Sequence, residues 1–216
     1  MKYRAVIFDW DGTVVDSISH IADSLHLAAN DLGLPILEKS AYRNIIGLGM
    51  MDALKALYPD ANQQDMIAMR DAYGKYFSSK PAMPQHVFQG MEELILDLKA
   101  GGSGRAVATG KSRRGLDRAL STSGLAPHFD VSRCADESGS KPDPKMLTEI
   151  LAHFDLEPAD AVMIGDTSYD LEMAQRLNMP SIGVSWGAHS TDTLMQYDPV
   201  SIVTDIGELR KLLDLV

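Results

Sequence analysis

The sequence predicts an α/β fold, a doubly wound parallel sheet with an inserted helical cap domain, and three observations predict it. Short apolar runs bounded by Gly, Asp or Pro alternate with longer stretches of helical periodicity. Between about residues 16 and 85 that alternation lapses and only helix-like segments remain. The acidic and basic residues suited to chemistry cluster at the ends of the apolar runs, where open parallel sheets bind their ligands.

In chain order, the strand candidates are AVIF (5–8), AVAT (106–109), FDVSR (129–133), AVMIG (161–165) and SIGVS (181–185), with SIV (201–203) a weaker sixth. Helical patterns over roughly 90–100, 112–122, 144–154, 168–177 and 205–214 separate them, and strands joined by helices make a parallel sheet. The last helix opens at Asp205 with Glu208 in capping-box spacing. GGSG (101–104) specifies the start of the second strand only weakly. The insert contains SISHIADSLHLAANDLGL (17–34), MMDALKAL (50–57) and QQDMIAMRDAYGKYF (63–77), whose Met, Ala and Leu at helical spacing read as core. It departs near Ser17 and returns at a proline-rich hinge around Pro81, Met83 and Pro84. The expected division is therefore 1–15 with 86–216 as the Rossmann-like core, and 16–85 as the cap.

At 216 residues the chain can bury a substantial core as one domain with an insert. Its 45% hydrophobic and 23% charged content is ordinary for a globular protein, and no apolar run approaches the roughly 20 residues of a membrane span. The start, MKYRAVIFDW, enters a strand without the regions of a signal peptide, and Cys134 is the lone cysteine, so a cytoplasmic location is expected. A net charge of −10 argues against nucleic-acid binding, which needs clustered Lys and Arg. An anionic substrate stays compatible with that charge, because a metal ion can invert the local field.

The strand ends deliver four clusters. The first supplies Asp9, Asp11, Gly12 and Thr13; the second Thr109, Gly110 and Lys111; the segment after the third carries Lys141 in KPDP; the fourth supplies Gly165, Asp166 and Asp170. Their chemistry suits phosphoryl transfer. Carboxylates from separate strand ends make the hard all-oxygen site that Mg²⁺ prefers. A cation there also makes the crowding of two aspartates at the end of one strand tolerable. One carboxylate can then attack phosphorus, and a second, its pKa raised by like-charge crowding, can protonate the leaving oxygen. Thr109 and neighbouring N–H groups can hold phosphoryl oxygens, while the Lys141 ammonium offsets their charge.

DWDGT, ATGKS, KPDP and GDTSYD, in that order, resemble the four motifs of the haloacid dehalogenase superfamily of hydrolases, over nearly the whole chain. The insert after the first motif resembles that superfamily's C1-type cap, and small phosphoglycolate phosphatase-like members look most similar. The resemblance implies Asp9 as nucleophile, Asp11 as general acid and base, and Thr109 as the phosphate-binding hydroxyl beside Gly110. It makes Lys141 the charge-neutralising and phosphate-binding lysine. Asp9, Asp11 through its backbone carbonyl and Asp166 would ligate Mg²⁺, with Asp170 orienting Lys141 or a metal-bound water. Asp11 sets the chain apart from haloalkanoate dehalogenases and phosphonoacetaldehyde hydrolases, which lack that acid. Met50, where β-phosphoglucomutases place Arg, removes a sugar-phosphate anchor.

The expected function is a Mg²⁺-dependent phosphatase for a small phosphorylated metabolite, phosphoglycolate first among them, working through an aspartyl phosphate. The alternatives are a hexose-phosphate mutase and a non-enzymatic phosphate-ester binder. No GxxxxGK[ST] loop is present, and the six histidines show no metal-ligand spacing. Trp186 and His189 read as packing residues in preference to rim residues, Arg113 and Arg114 as solvated charge. NIIGLGMMDAL (44–54) is expected to be a flexible lid offering backbone N–H groups to the cleft.

Overall fold

In the computed structural model, residues 2–79 and 86–215 are described. Strands β1 (Ala5–Phe8), β2 (Gly104–Thr109), β3 (Val131–Cys134), β4 (Ala161–Gly165), β5 (Ser181–Val184) and β6 (Ser201–Val203) form a parallel sheet in the order β3-β2-β1-β4-β5-β6. The winding direction reverses between β1 and β4, which places the cleft of such a sheet at their carboxyl ends.

Both faces are covered, and the strand sequences show why. Val6 and Phe8 of β1, with Val107, Val162, Ile164 and Ile182, face helices α5 (Met91–Ala100), α6 (Arg113–Ser123) and α11 (Ile206–Leu212). The alternate residues Ala5, Ile7, Ala106, Ala108, Ala161 and Met163 face α8 (Lys145–Phe154) and α9 (Ser168–Gln175). Successive side chains point to opposite faces, so a strand buried on both sides must be apolar throughout.

The insert carries its own apolar cluster. Helices α1 (Ile18–Asp31), α2 (Lys39–Asn44), α3 (Met50–Leu57) and α4 (Gln63–Ser79) bury Leu25, Tyr42, Leu54 and Met69 together. Where the insert leaves and returns the backbone pairs with itself: Val15 bridges Val87 antiparallel, and Asp16 N–H donates to the His86 carbonyl at 2.9 Å. The expected hinge at Pro81, Met83 and Pro84 lies outside the described residues.

Several expectations shift. β2 begins at Gly104, paired with Ala5. β3 begins at Val131, because Phe129 packs its ring on Phe8 and Trp10 and Asp130 is taken by the Arg105 guanidinium at 2.6 Å. Helix α2, and the one-turn helices α7 (Ala135–Ser138) and α10 (Thr191–Leu194), are too short to show a period in sequence. At α11, Asp205 accepts from the Glu208 N–H as expected, but the Glu208 carboxylate reaches past the cap to the Thr204 N–H and hydroxyl. Thr204 offers two donors where the reciprocal box offers one.

Tyr42 organises the insert: fully buried, its oxygen accepts from Leu37 N–H and lies 3.0 Å from the Tyr58 hydroxyl, which donates to the Pro35 carbonyl. Replacing Tyr42 with Phe strands the Leu37 N–H and should cost about 1–3 kcal/mol. Urea unfolding measures this, and an unchanged midpoint would remove the phenol from the account of insert stability.

Candidate active site

Asp9 follows β1 and extends its ladder, donating its N–H to the Ile164 carbonyl at 2.9 Å. The chain then turns through Gly12, whose φ of +81° favours glycine and where a Cβ would lie 2.3 Å from a carboxylate oxygen of Asp166. That turn lets Thr13 donate its hydroxyl to Asp166 Oδ1 at 2.8 Å, while the Ala188 N–H donates to Oδ2 at 2.7 Å. β1 and β4 are thereby locked together at their carboxyl ends.

The Lys141 ammonium lies between Asp9 and Asp170, 2.6 Å from Oδ1 of each, with all three side chains essentially inaccessible. Asp170 also caps its own helix, because its Oδ2 accepts from the Thr167 N–H and hydroxyl. Burial opposes charge on Lys141, yet Asp170 and Asp9 outweigh it and hold the ammonium above its ordinary range. Burial pushes the Asp9 carboxyl up, Lys141 pulls it down, and Asp170 and Asp166 push it further up. Asp166 is pushed up to about 7, by burial and then by Asp170, against the pull of the Ala188 and Thr13 donors.

Asp9 Oδ2 is buried without a hydrogen-bond partner, and oxygens of Asp9, Asp166 and Asp170 come within 4.8 Å of one another. Three carboxylates share one ammonium there, a formal excess of two negative charges when all are ionised. A divalent cation fits that excess and that oxygen donor set. Both oxygens of Asp170 and both of Asp166 already accept hydrogen bonds, which leaves Asp9 Oδ2 as the uncommitted oxygen of the three carboxylates.

Asp11 is placed differently from expectation. Its carboxylate accepts from the Ser17 hydroxyl at 2.6 Å and pairs with Lys111 at 2.9 Å, so the charges crowding Asp9 are Asp166 and Asp170. Asp9, Asp11, Thr109, Gly110 and Lys111 line one cleft of about 490 Å³, part of it open to solvent. Lys141 sits behind Asp9 instead of on the wall. Thr109 Oγ1 accepts from the Lys111 N–H at 3.2 Å, which turns the loop after β2.

The insert closes the other side. A Cβ on Gly110 would lie 2.5 Å from the carbonyl oxygens of Gly47 and Leu48, so only glycine admits this approach. Within segment 44–54 the N–H groups of Ile46, Leu48 and Gly49 are taken by the Arg43 and Ile45 carbonyls and the Ser140 hydroxyl. Lys55 of the insert donates to the Pro59 carbonyl, away from the cleft. Arg113 is engaged with Glu137 at 2.8 Å, not simply solvated. Trp186 donates to the Thr13 carbonyl at 3.4 Å and packs on Phe88, the packing role expected of it.

His189 does more than pack. Its Nδ1 accepts from the Ser168 N–H at 3.0 Å, so the proton is on Nε2, which donates to the Asn44 carbonyl at 3.1 Å. Tyr169 donates to the same carbonyl at 2.8 Å, and the pair latches insert to core. Sequence reasoning missed Ser17 and Ala188 as site residues, and gave Thr13 and Lys111 a position without a task. Only Thr13 and Lys111 carried a signal, their place at strand ends.

Burial lowers the His189 pKa below its ordinary 6.5. A depressed histidine stabilises the fold while neutral, so its contribution is complete above pH 6.5 and is lost as pH falls toward the folded-state value. Wild type should therefore lose more melting temperature than His189→Gln between about pH 7.5 and about pH 5.5. Equal losses in the two proteins would remove His189 from the pH response.

Residues 6–184 match the family model described as haloacid dehalogenase-like hydrolase. A protein named Probable phosphatase IndB from Dickeya dadantii is 35% identical, over 94% of this chain and 90% of its own length. Tyrosine-protein kinase PtkA of Mycobacterium tuberculosis is 32% identical, over 97% of this chain and 72% of its own. Phosphoglycolate phosphatase of Psychrobacter arcticus is 29% identical, over 97% and 95%. A crystal structure described as a predicted phosphatase from Clostridium acetobutylicum superimposes with a TM-score of 0.87 at 28% identity, over the whole of both chains. The motif order, the sheet and the carboxylates gathered at its switch point agree with the match over most of the chain, which belongs to the haloacid dehalogenase-like hydrolase family.

Proposed function

We propose that the protein is a cytoplasmic, Mg²⁺-dependent phosphatase that hydrolyses a small phosphomonoester through an aspartyl phosphate on Asp9. One observation carries this reading: Asp9 lines the cleft with Oδ1 fixed by Lys141 and Oδ2 buried without a partner. A nucleophilic carboxylate needs that asymmetry, one oxygen anchored and one available. Phosphatase and phosphoglycolate phosphatase among the relatives' names support the reaction class. The lone cysteine, buried and free, supports a reducing compartment.

In this reading Asp9 attacks phosphorus as the P–O bond to the alcohol breaks. Asp11, held at the cleft wall by Ser17 and Lys111, gives the leaving oxygen its proton. It then takes a proton from the water that opens the acyl phosphate, which returns Asp9 and releases inorganic phosphate. Thr109 and Gly110, on the same wall, bind phosphoryl oxygens. Lys141 orients Asp9 and lowers the cost of burying its charge, with Asp170 orienting Lys141 in turn. Asp9, Asp166 and the Asp11 backbone carbonyl would hold Mg²⁺, which when bound screens the repulsion between the Asp9 carboxylate and the phosphate. Residues 16–85 act as the cap that excludes water from the first step.

Asp9→Asn should lower kcat on p-nitrophenyl phosphate by roughly 10⁴-fold or more, because covalent catalysis and a metal ligand are lost together. Wild type should also lose turnover in EDTA and regain it with Mg²⁺. An Asp9→Asn enzyme within about ten-fold of wild type would contradict the aspartyl-phosphate route.

A further inference from the structure

The phosphoryl end of the cleft is built by the core, so the alcohol end must be read from the insert. Ile21 and Leu25 of α1, Ile45 and Leu48 of the lid, and Met50 and Ala53 of α3 line that wall. Tyr73 of α4 adds a ring and the only side-chain hydroxyl among the insert residues of the lining. We propose that the ester hydrolysed here carries an uncharged, mainly apolar leaving group, a proposal that rests on the phosphatase reading and narrows it.

The charges support this as strongly as the apolar wall does. Among the described residues no Lys, Arg or His of the insert lines the cleft. Lys39 is paired with Asp23, Arg43 donates to the Gly187 carbonyl, Lys55 to the Pro59 carbonyl, and Arg70 pairs with Asp71. Lys75 is exposed. Among the described residues Lys111 of the core is the one cation on the wall, and it is held by Asp11 Oδ2 at 2.9 Å and over the Phe77 ring at 5.2 Å. A leaving group with a carboxylate would have to share Lys111 with Asp11, which sets two like charges around one ammonium. Failing that, it must lie against Ile, Leu and Met unpaired, which is costly for an ion. An alkyl or aryl group meets the same wall with a gain, about four-fold in kcat/KM for each methylene that leaves water. Burial holds the Tyr73 phenol protonated, so it stays a donor for a neutral oxygen on such a group.

Isobutyl phosphate and phosphoglycolate have leaving groups with the same number of heavy atoms, one uncharged and one a carboxylate. Steady-state kinetics of the Mg²⁺-loaded, full-length protein on both, with benzyl phosphate and p-nitrophenyl phosphate alongside, test the proposal. Isobutyl and benzyl phosphate should exceed phosphoglycolate by about ten-fold or more in kcat/KM, the factor that corresponds to about 1.4 kcal/mol. Met50→Lys should narrow or reverse that ratio by placing an ammonium on the wall. Phosphoglycolate equal to or better than isobutyl phosphate overturns the proposal and leaves the phosphatase reading standing. No turnover of any of the four esters overturns the phosphatase reading and the proposal with it.

Discussion

The Lys141 ammonium, 2.6 Å from both Asp9 and Asp170, is the contact on which the carboxyl ends of β1 and β4 depend. Three buried carboxylates would repel one another without it, and removing one member of a buried pair costs about 3–5 kcal/mol. The lysine also divides the work between its partners. Asp170 gives one oxygen to Lys141 and the other to the Thr167 cap, and so becomes a fixed support. Asp9 gives one oxygen to Lys141 and keeps the other free. One ion triad thus holds the helix after β4 in place and leaves a buried Asp9 oxygen without a partner beside the cleft.

The cleft's second wall comes from a different part of the chain, and backbone contacts set its distance. The Gly47 and Leu48 carbonyls approach Gly110 more closely than any side chain allows, while the Asn44 carbonyl accepts hydrogen bonds from Tyr169 and His189. These contacts bring Met50 and Ala53 over the same space that Asp9 and Thr109 face. Under the proposed phosphatase reading, core and insert divide recognition: polar groups on the core side for the phosphoryl group, an apolar wall for whatever it is attached to.

The sheet was legible because β1, β4 and β5 at its centre are short and mainly apolar and the strands are separated by helical stretches, the pattern of a doubly covered parallel sheet. Asp9, Asp11, Thr109 and Asp166 were legible at or just past strand ends for the same reason, and Lys141 and Asp170 in the segments that follow. Which aspartates crowd one another was not. Asp9 and Asp11 are near in sequence, but Asp11 pairs with Lys111 and Ser17, and the neighbours that load Asp9 are 157 or more positions away in the chain, at Asp166 and Asp170. Ser17 and the Ala188 N–H carry no local signature, since their tasks arise only when distant turns meet. Segment 44–54 drew attention through its glycines, yet the direction of its carbonyls depends on Ser140 and Gly110, which no pattern within 44–54 encodes.

The excess negative charge around Asp9 Oδ2 is the central claim, and Mg²⁺ binding tests it most directly. Calorimetric titration of the wild-type protein, paired with thermal unfolding at the same concentrations, should show one saturable site. Its stabilisation should reach about 2.7 kcal/mol at a hundred-fold excess over Kd. Asp166→Asn should weaken both signals together. A wild-type protein that neither binds Mg²⁺ nor changes its melting temperature up to about 10 mM would contradict the account.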